Sequence, residues 1–272
     1  MLGAMIGDII GSVYEWHNVK SEDFALFSNQ SRFTDDTVLT AATAEAILHM
    51  QTGHTGLGSK RYYAKQYACQ YKLYGSRYPD CGFGEMFQSW CKASTMQKQH
   101  SYGNGAAMRV SPVGWAFESL DEVICQAKYT TVYTHNHPDS VKGACAAAAA
   151  VYLARKVKDK DEIKSYLQKR FHYNLSVPLS LIRPGYQFDS SCRGSVPQAI
   201  RAFLEGNDFV DTIRKAVSLG GDSDTIAAIA GGIAEAYYKE IPAEIKDKAL
   251  LLLDAGLRKV IREFYSRFHM LL

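Results

Sequence analysis

Two short acidic clusters carry the chemistry in this sequence: Thr34-Asp35-Asp36-Thr37 and, far away near the C-terminus, Asp222-Ser223-Asp224-Thr225. Each precedes an alanine-rich run that reads as a helix, Val38 to Ala44 in one case and Ile226 to Ala230 in the other. Brought together without a counter-ion, Asp35, Asp36, Asp222 and Asp224 would repel, and some would have to take up protons. Two divalent cations would neutralise them, with the hydroxyls of Thr34 and Thr225 as neutral oxygen donors. An all-oxygen set suits Mg²⁺, Mn²⁺ or Ca²⁺. Zinc prefers Cys and His at characteristic spacings, and the sequence has none. The ordinary alternative is that Asp and Thr at helix starts are caps. The similar form of two remote clusters weighs toward a metal cradle.

A helix N-terminus carries roughly half a positive elementary charge. It welcomes carboxylates and opposes a bare cation, so a cation site there needs surplus negative charge. Gly220-Gly221 lets the backbone turn sharply ahead of Asp222. Glu15 closes a segment with glycines at 3, 7 and 11. It faces the same cleft or is a surface residue at a helix end, and the residues alone favour the second. Asp8, inside that segment, reads as a buried, hydrogen-bonded structural residue.

Ser101-Tyr102-Gly103-Asn104-Gly105 leads into Ala106 to Pro112. Small residues running into a helix present free backbone N–H groups that hold a phosphate or a sugar hydroxyl; the alternative is a plain turn. Arg109 reads as a buried ion-pair partner. His135-Asn136-His137 is a capping or substrate contact, and Tyr62, Tyr63, Tyr67, Tyr71, Tyr74 and Tyr78 read as a packed helix face. Ser191 to Pro197 reads as a loop feeding a helix with proline in its first turn.

Helical periodicity spans 3–15, 37–50, 60–74, 105–118, 121–133, 138–156, 159–172, 195–205, 208–219, 225–239 and 243–268. Glycines four apart share one helical face, where another backbone can come close. Asp121, Asp139, Asp161 and Asp208 are the expected N-caps, and Pro242 closes the helix before it. No strands alternate with helices at βαβ spacing, so a single all-helical domain over 1–272 is expected. The irregular stretches 16–33, 51–59, 75–104 and 173–194 lead into the motifs at 34, 105 and 195, which predicts that they rim a cleft.

The chain has 272 residues, 47% apolar, and a net charge of +3 without a dense Lys/Arg block. Nucleic acid is not indicated as a partner. The apolar N-terminus is too short for a span and has the wrong form for a signal peptide. The six cysteines show no C-x-x-C pair, so reduced thiols are expected, and with no export signal a cytoplasmic location is the default expectation; a monomer is expected.

Taken together these residues resemble the ADP-ribosylglycohydrolase family. The resemblance runs from Gly3-x-x-x-Gly7-Asp8-x-x-Gly11 through Phe33-Thr34-Asp35-Asp36-Thr37, Gly103 to Arg109, Thr134-His135 and Ser195-Val196-Pro197. It ends at Gly220-Gly221-Asp222-Ser223-Asp224-Thr225-Ile226-Ala227-Ala228. It implies an all-α orthogonal multi-helix bundle holding two divalent cations, Mg²⁺ or Mn²⁺. Thr34, Asp35, Asp36, Asp222, Asp224 and Thr225 are the implied ligands, with Glu15 beside them and Glu15 or Asp35 as general base. Ser101, Tyr102, Gly103, Asn104, Gly105 and His135 are the implied ADP-ribose contacts. The implied reaction releases ADP-ribose from an ADP-ribosylated protein or other acceptor, with arginine taken first. Two competing readings are a haloacid dehalogenase-type phosphohydrolase, which needs a strand before Asp222 and an α/β fold, and a non-catalytic ADP-ribose-binding protein.

Overall fold

The computed structural model describes residues 1–50 and 58–270. The predicted loop 51–59 therefore falls largely outside the described residues. Among these, fourteen α-helices follow one another. They are α1 Leu2–Gly11, α2 Asp35–His49, α3 Ser59–Arg77, α4 Glu85–Lys92, α5 Ser111–Ala116, α6 Leu120–Thr131 and α7 Pro138–Lys156. They continue with α8 Lys160–Phe171, α9 Leu179–Ile182, α10 Cys192–Glu205, α11 Phe209–Val217, α12 Ser223–Tyr238, α13 Ala243–Leu252 and α14 Ala255–Arg267. No strand forms among the described residues; two isolated bridges, His100 to His135 and Gly103 to Ser191, stitch loops together. The multi-helix bundle is thus all-α, and the α/β phosphohydrolase reading fails. No described helix is long and apolar enough to cross a membrane.

Two helices form the centre. Every residue of α1 is buried, and so is every residue of α12 from Ser223 to Ala236. A helix that is small and apolar all round has no solvent face to offer, and these two pack on each other. The glycine face of α1 makes this contact. A Cβ at Gly3 would lie 2.4 Å from the Gly231 carbonyl oxygen, one at Gly7 would lie 2.1 Å from that of Ala227, and one at Gly11 would lie 2.5 Å from Asp224 Cα. The backbones are in contact where side chains ordinarily separate them.

α1 also fixes α2. Asp8, fully buried, accepts hydrogen bonds from Thr34 N at 2.9 Å, Thr34 Oγ1 at 2.7 Å and Thr37 N at 3.0 Å. It thereby satisfies two of the orphan N–H groups at the start of α2. One ten-residue helix positions both acidic clusters.

Several boundaries differ from the sequence reading. α1 stops at Gly11, not at 15, because the Gly11 carbonyl is taken by Tyr14 N and by the Ser223 hydroxyl. Glu15 therefore stands on the following turn. Asp208 does cap α11, but Ser119, His137 and Asp159 cap α6, α7 and α8. Asp121, Asp139 and Asp161 lie in the first turns instead, where the helix dipole favours them. α12 ends at Tyr238 with Lys239 left-handed, and Pro242 precedes α13. The expected 243–268 helix breaks at Asp254, which caps α14 through Leu257 N. α4 lies inside a stretch read as irregular; it buries Phe87 and Trp90, one turn apart. Ser191 caps α10, so Pro197 sits inside that helix rather than in its first turn.

The α1–α12 contact has a direct test. Gly7→Ala forces a methyl into the Ala227 carbonyl and is expected to cost about 3 kcal/mol or more. Gly185→Ala, where nothing lies within 4 Å of the new carbon, is expected to stay within about 0.5 kcal/mol. Urea denaturation of both variants reads the difference; equal effects would contradict the packing.

Candidate metal centre and substrate loop

The two acidic clusters meet. α2 and α12 direct their N-termini at one place, and Thr225 Oγ1 of α12 donates to Asp36 Oδ2 of α2 at 3.3 Å. The capping alternative can now be tested. On α2 the cap is Thr34, whose side chain accepts from Asp36 N, so Asp35 and Asp36 are free of that duty. Asp222 occupies the N-cap position of α12 yet makes no side-chain cap bond. It accepts instead from Asn104 Nδ2 at 2.7 Å. Asp224 accepts a local bond from Thr225 N at 2.9 Å. Three of the four aspartates therefore do not cap.

Glu15 joins them. Carboxylate oxygens of Glu15, Asp222 and Asp224 lie within 4.8 Å of one another, a separation one cation bridges. The residues alone favoured a surface position for Glu15, and the resemblance put it beside the acidic clusters; it is half-buried and stands in the cluster. Gly220 and Gly221, both at φ +69°, make the turn that delivers Asp222. Gly221 N donates to Asn18 Oδ1 at 2.6 Å, and Lys20 Nζ holds the Tyr186 carbonyl at 2.6 Å and that of Leu219. The 16–33 segment is thus strapped to the turn before Asp222.

This concentration of charge in buried surroundings pushes the carboxyls up. Glu15 rises to about 7, through burial and then the charge of Asp222. Asp35 rises to about 8, through burial and then Asp8 and Asp222. Asp36 and Asp224 rise well above the carboxylate range, again chiefly through burial. Asp36 Oδ1 is buried without a hydrogen-bond partner. An orphaned carboxylate oxygen among other carboxylates is what an oxygen-liganded cation satisfies. The donor set therefore fits a hard divalent cation such as Mg²⁺, Mn²⁺ or Ca²⁺. Thr34 Oγ1 gives its proton to Asp8, accepts from Asp36 N and retains one further lone pair.

The 101–105 loop borders the same centre. Its Asn104 is buried; N donates to the Ser190 carbonyl at 2.8 Å, and Nδ2 to Ser195 Oγ at 2.9 Å and to Asp222. The Asn104 side chain thus serves Asp222 from behind. Gly103 N donates to Ser101 Oγ at 3.1 Å, and Tyr102 is exposed. His135 is buried, and its Nε2 would lie 3.0 Å from a Cβ at Gly105 and 3.6 Å from one at Gly103. His137 caps α7. Tyr67, Tyr71 and Tyr74 are buried packing residues. Arg109 is not in an ion pair: fully buried, it stacks on Tyr71 at 3.9 Å.

The segments at 16–33, 75–104 and 173–194 do converge here, through Asn18, through Asn104 and through Ser190. The spacing of the sequence missed Asn104's service to Asp222, and Ser195 behind it. No local pattern signals a contact between residues 118 positions apart. A cavity of about 570 Å³ lined by Asp139, Lys142, Tyr173 and Arg193 contains none of the acidic cluster.

The raised carboxyls set the pH dependence. Between about pH 4 and 8 the folded, metal-free chain keeps protons on Glu15 and Asp35 that the unfolded chain has released. The native state binds more protons, so stability falls as pH rises through that window. Thermal denaturation in EDTA is expected to show this decline, flattened in Asp35→Asn and reversed at pH 8 by Mg²⁺. Stability that climbs from pH 5 to 8 in EDTA would contradict the geometry.

The chain is similar to known proteins over most of its length. The family model described as ADP-ribosylglycohydrolase matches residues 1–271. ADP-ribosylhydrolase ARH3 of Mus musculus is 26% identical, aligned over 88% of this chain and 82% of its own length. The Homo sapiens protein of that name is also 26% identical, over 88% and 84%. ADP-ribosylarginine hydrolase Tri1 of Pseudomonas putida is 25% identical over 61% of this chain and 46% of its own. A solved structure titled ADP-ribosylglycohydrolase-related protein complex superposes with a TM-score of 0.67 at 22% identity, covering 99% of this chain and 96% of its own, which is a likeness of fold. With a family match over essentially its whole length, the chain belongs to the ADP-ribosylglycohydrolase family.

Proposed function

We propose that this enzyme, a hydrolase of ADP-ribose linkages, depends on two divalent cations, Mg²⁺ or Mn²⁺, held between α2 and α12. The observation that carries the reading is the meeting of Asp36 with Thr225, and of Glu15 with Asp222 and Asp224. Thr34, Asp35, Asp36, Asp222, Asp224 and Thr225 would hold the ions, with residues 1–272 acting as one catalytic domain. Bound there, the ions supply Lewis acidity toward ribose hydroxyls and water and offset the clustered negative charge.

The chain's own groups do the rest. Ser101, Tyr102, Gly103, Gly105 and His135 border the ADP-ribose diphosphate and ribose, and Asn104 keeps Asp222 in place. Water attacks the anomeric carbon of the distal ribose. The bond to the acceptor breaks, its electron pair leaves with the acceptor, and positive charge spreads over the ribose ring oxygen in the transition state. Glu15 or Asp35 takes the proton from the attacking water. Both lie in the cluster that would hold the ions, Glu15 with its carboxylate beside those of Asp222 and Asp224.

The acceptor is read as a modified protein side chain, with arginine tested first. The ADP-ribosylarginine specificity in the name of the Pseudomonas putida relative supports that order. A monomer in the cytoplasm completes the reading.

Activity on ADP-ribosyl-arginine peptide, followed as ADP-ribose release, tests it. Asp35→Ala, Asp222→Ala and Asp224→Ala are each expected to abolish turnover, and excess EDTA to do so reversibly. Glu15→Gln is expected to lose 10²–10⁴-fold in kcat, about what a general base contributes, if Glu15 rather than Asp35 is the base. Full activity of all three alanine variants, or in EDTA, would remove the proposal.

A further inference from the structure

Behind His135 lies a polar relay that the reaction chemistry does not account for. Arg109 is fully buried beneath the 101–105 loop. Its Nη2 donates to the Thr130 carbonyl at 3.0 Å and to Thr134 Oγ1 at 2.8 Å. Its guanidinium stacks on the Tyr71 ring, and Nε and Nη1 have no partner. No described carboxylate is in salt-bridge contact with it. A buried arginine without a carboxylate is costly, which raises the question of what holds it there.

Donor and acceptor counting answers it. A guanidinium has donors and no acceptor. At Thr134 Oγ1 it must therefore donate, and the hydroxyl keeps one proton to give. The remaining partner of Thr134 Oγ1 is His135 Nδ1, at 2.9 Å. The hydroxyl has two lone pairs and could accept from both neighbours, but its own proton would then be buried without an acceptor among the described residues. The arrangement that leaves this buried proton paired sends it to Nδ1, as acceptor. A neutral imidazole accepting at Nδ1 carries its own proton on Nε2. Nε2 faces Gly103 and Gly105 and makes no hydrogen bond among the described residues. Burial, with the Arg109 charge beside it, lowers the ring's pKa well below the usual histidine range.

We propose that Thr134, oriented by Arg109, is a positioning residue that fixes His135 as the Nε2–H tautomer. His135 thereby presents a single neutral donor to an oxygen of the ADP-ribose seated over the 101–105 loop. This rests on the proposed function for the identity of the ligand, and on the pairing of the buried Thr134 proton for the tautomer. The arrangement explains an arginine that pairs with no acid: a carboxylate there would draw the guanidinium away from Thr134. It also explains Gly105, since any side chain would press on Nε2.

Two readouts test it, one independent of the ligand. Two-bond ¹H–¹⁵N correlation spectra report which ring nitrogen of His135 carries the proton. The wild type is expected to be the Nε2–H tautomer. Thr134→Val removes the hydroxyl at nearly constant shape; it is expected to lose that tautomer and to bind ADP-ribose roughly tenfold more weakly, by the loss of one hydrogen bond. The loss should appear in KM with little change in kcat. Thr134→Ser keeps the hydroxyl and is expected to retain both tautomer and affinity, which separates the relay from a general loss of fold. An Nδ1–H ring in the wild type, or a folded Thr134→Val variant with wild-type affinity for ADP-ribose, overturns the proposal. If the wild type binds no ADP-ribose, the ligand reading fails, and the tautomer spectrum alone then decides the relay.

Discussion

The contact of α1 with α12, backbone on backbone, is the constraint on which the site depends. Glycine at positions 3, 7 and 11 removes the side chains that would hold the two helices apart. At that distance the end of α1 reaches the start of α12, where Ser223 takes the Gly11 carbonyl and Asp224 lies against Gly11 itself. The opposite task falls to Asp8, which leaves the same helix to hold the first turn of α2. Glu15 emerges from the turn just beyond. One short helix thus sets the relative positions of five clustered carboxylates drawn from three parts of the chain.

Such a gathering is electrostatically unfavourable, and the structure offsets it in several ways. Two helix N-termini point at the site and favour negative charge by a few tenths to about 1 kcal/mol each. Thr225 and Asn104 donate to Asp36 and Asp222. These bonds leave Asp36 Oδ1 bare and Glu15, Asp35, Asp36 and Asp224 prone to protonation. A fold that spends stability to keep carboxylates unpaired is arranged around what will pair with them. The strain is local: the surrounding helices are ordinary amphipathic or alanine-rich elements closing a large apolar core.

Much of this was legible from residue types. Glycines four apart signalled a close helix contact, the doubled T-D-D-T and D-S-D-T clusters signalled carboxylates that come together, and the absence of strand periodicity pointed to the all-α class. Asp8 read as buried and hydrogen-bonded, and it is. What escaped was set by contacts across long separations. From the residues alone Glu15 looked like a surface residue, and only the resemblance put it at the site, because the end of α1 is dictated by Ser223, 212 positions from Gly11. Arg109 looked like half of an ion pair, whereas it stacks on Tyr71 and serves Thr134. The caps were misplaced by two residues at α6, α7 and α8 because an aspartate in the first turn and one at the cap look alike in sequence.

We propose that the N-termini of α2 and α12 hold a shared pair of divalent cations. An anomalous difference map at the manganese edge, from crystals grown with Mn²⁺, tests it most directly. Two peaks are expected between Asp35–Asp36 and Asp222–Asp224, with carboxylate oxygens at about 2.0–2.6 Å. A map with no peak there, or with manganese elsewhere and the aspartates turned to separate faces, would contradict the account.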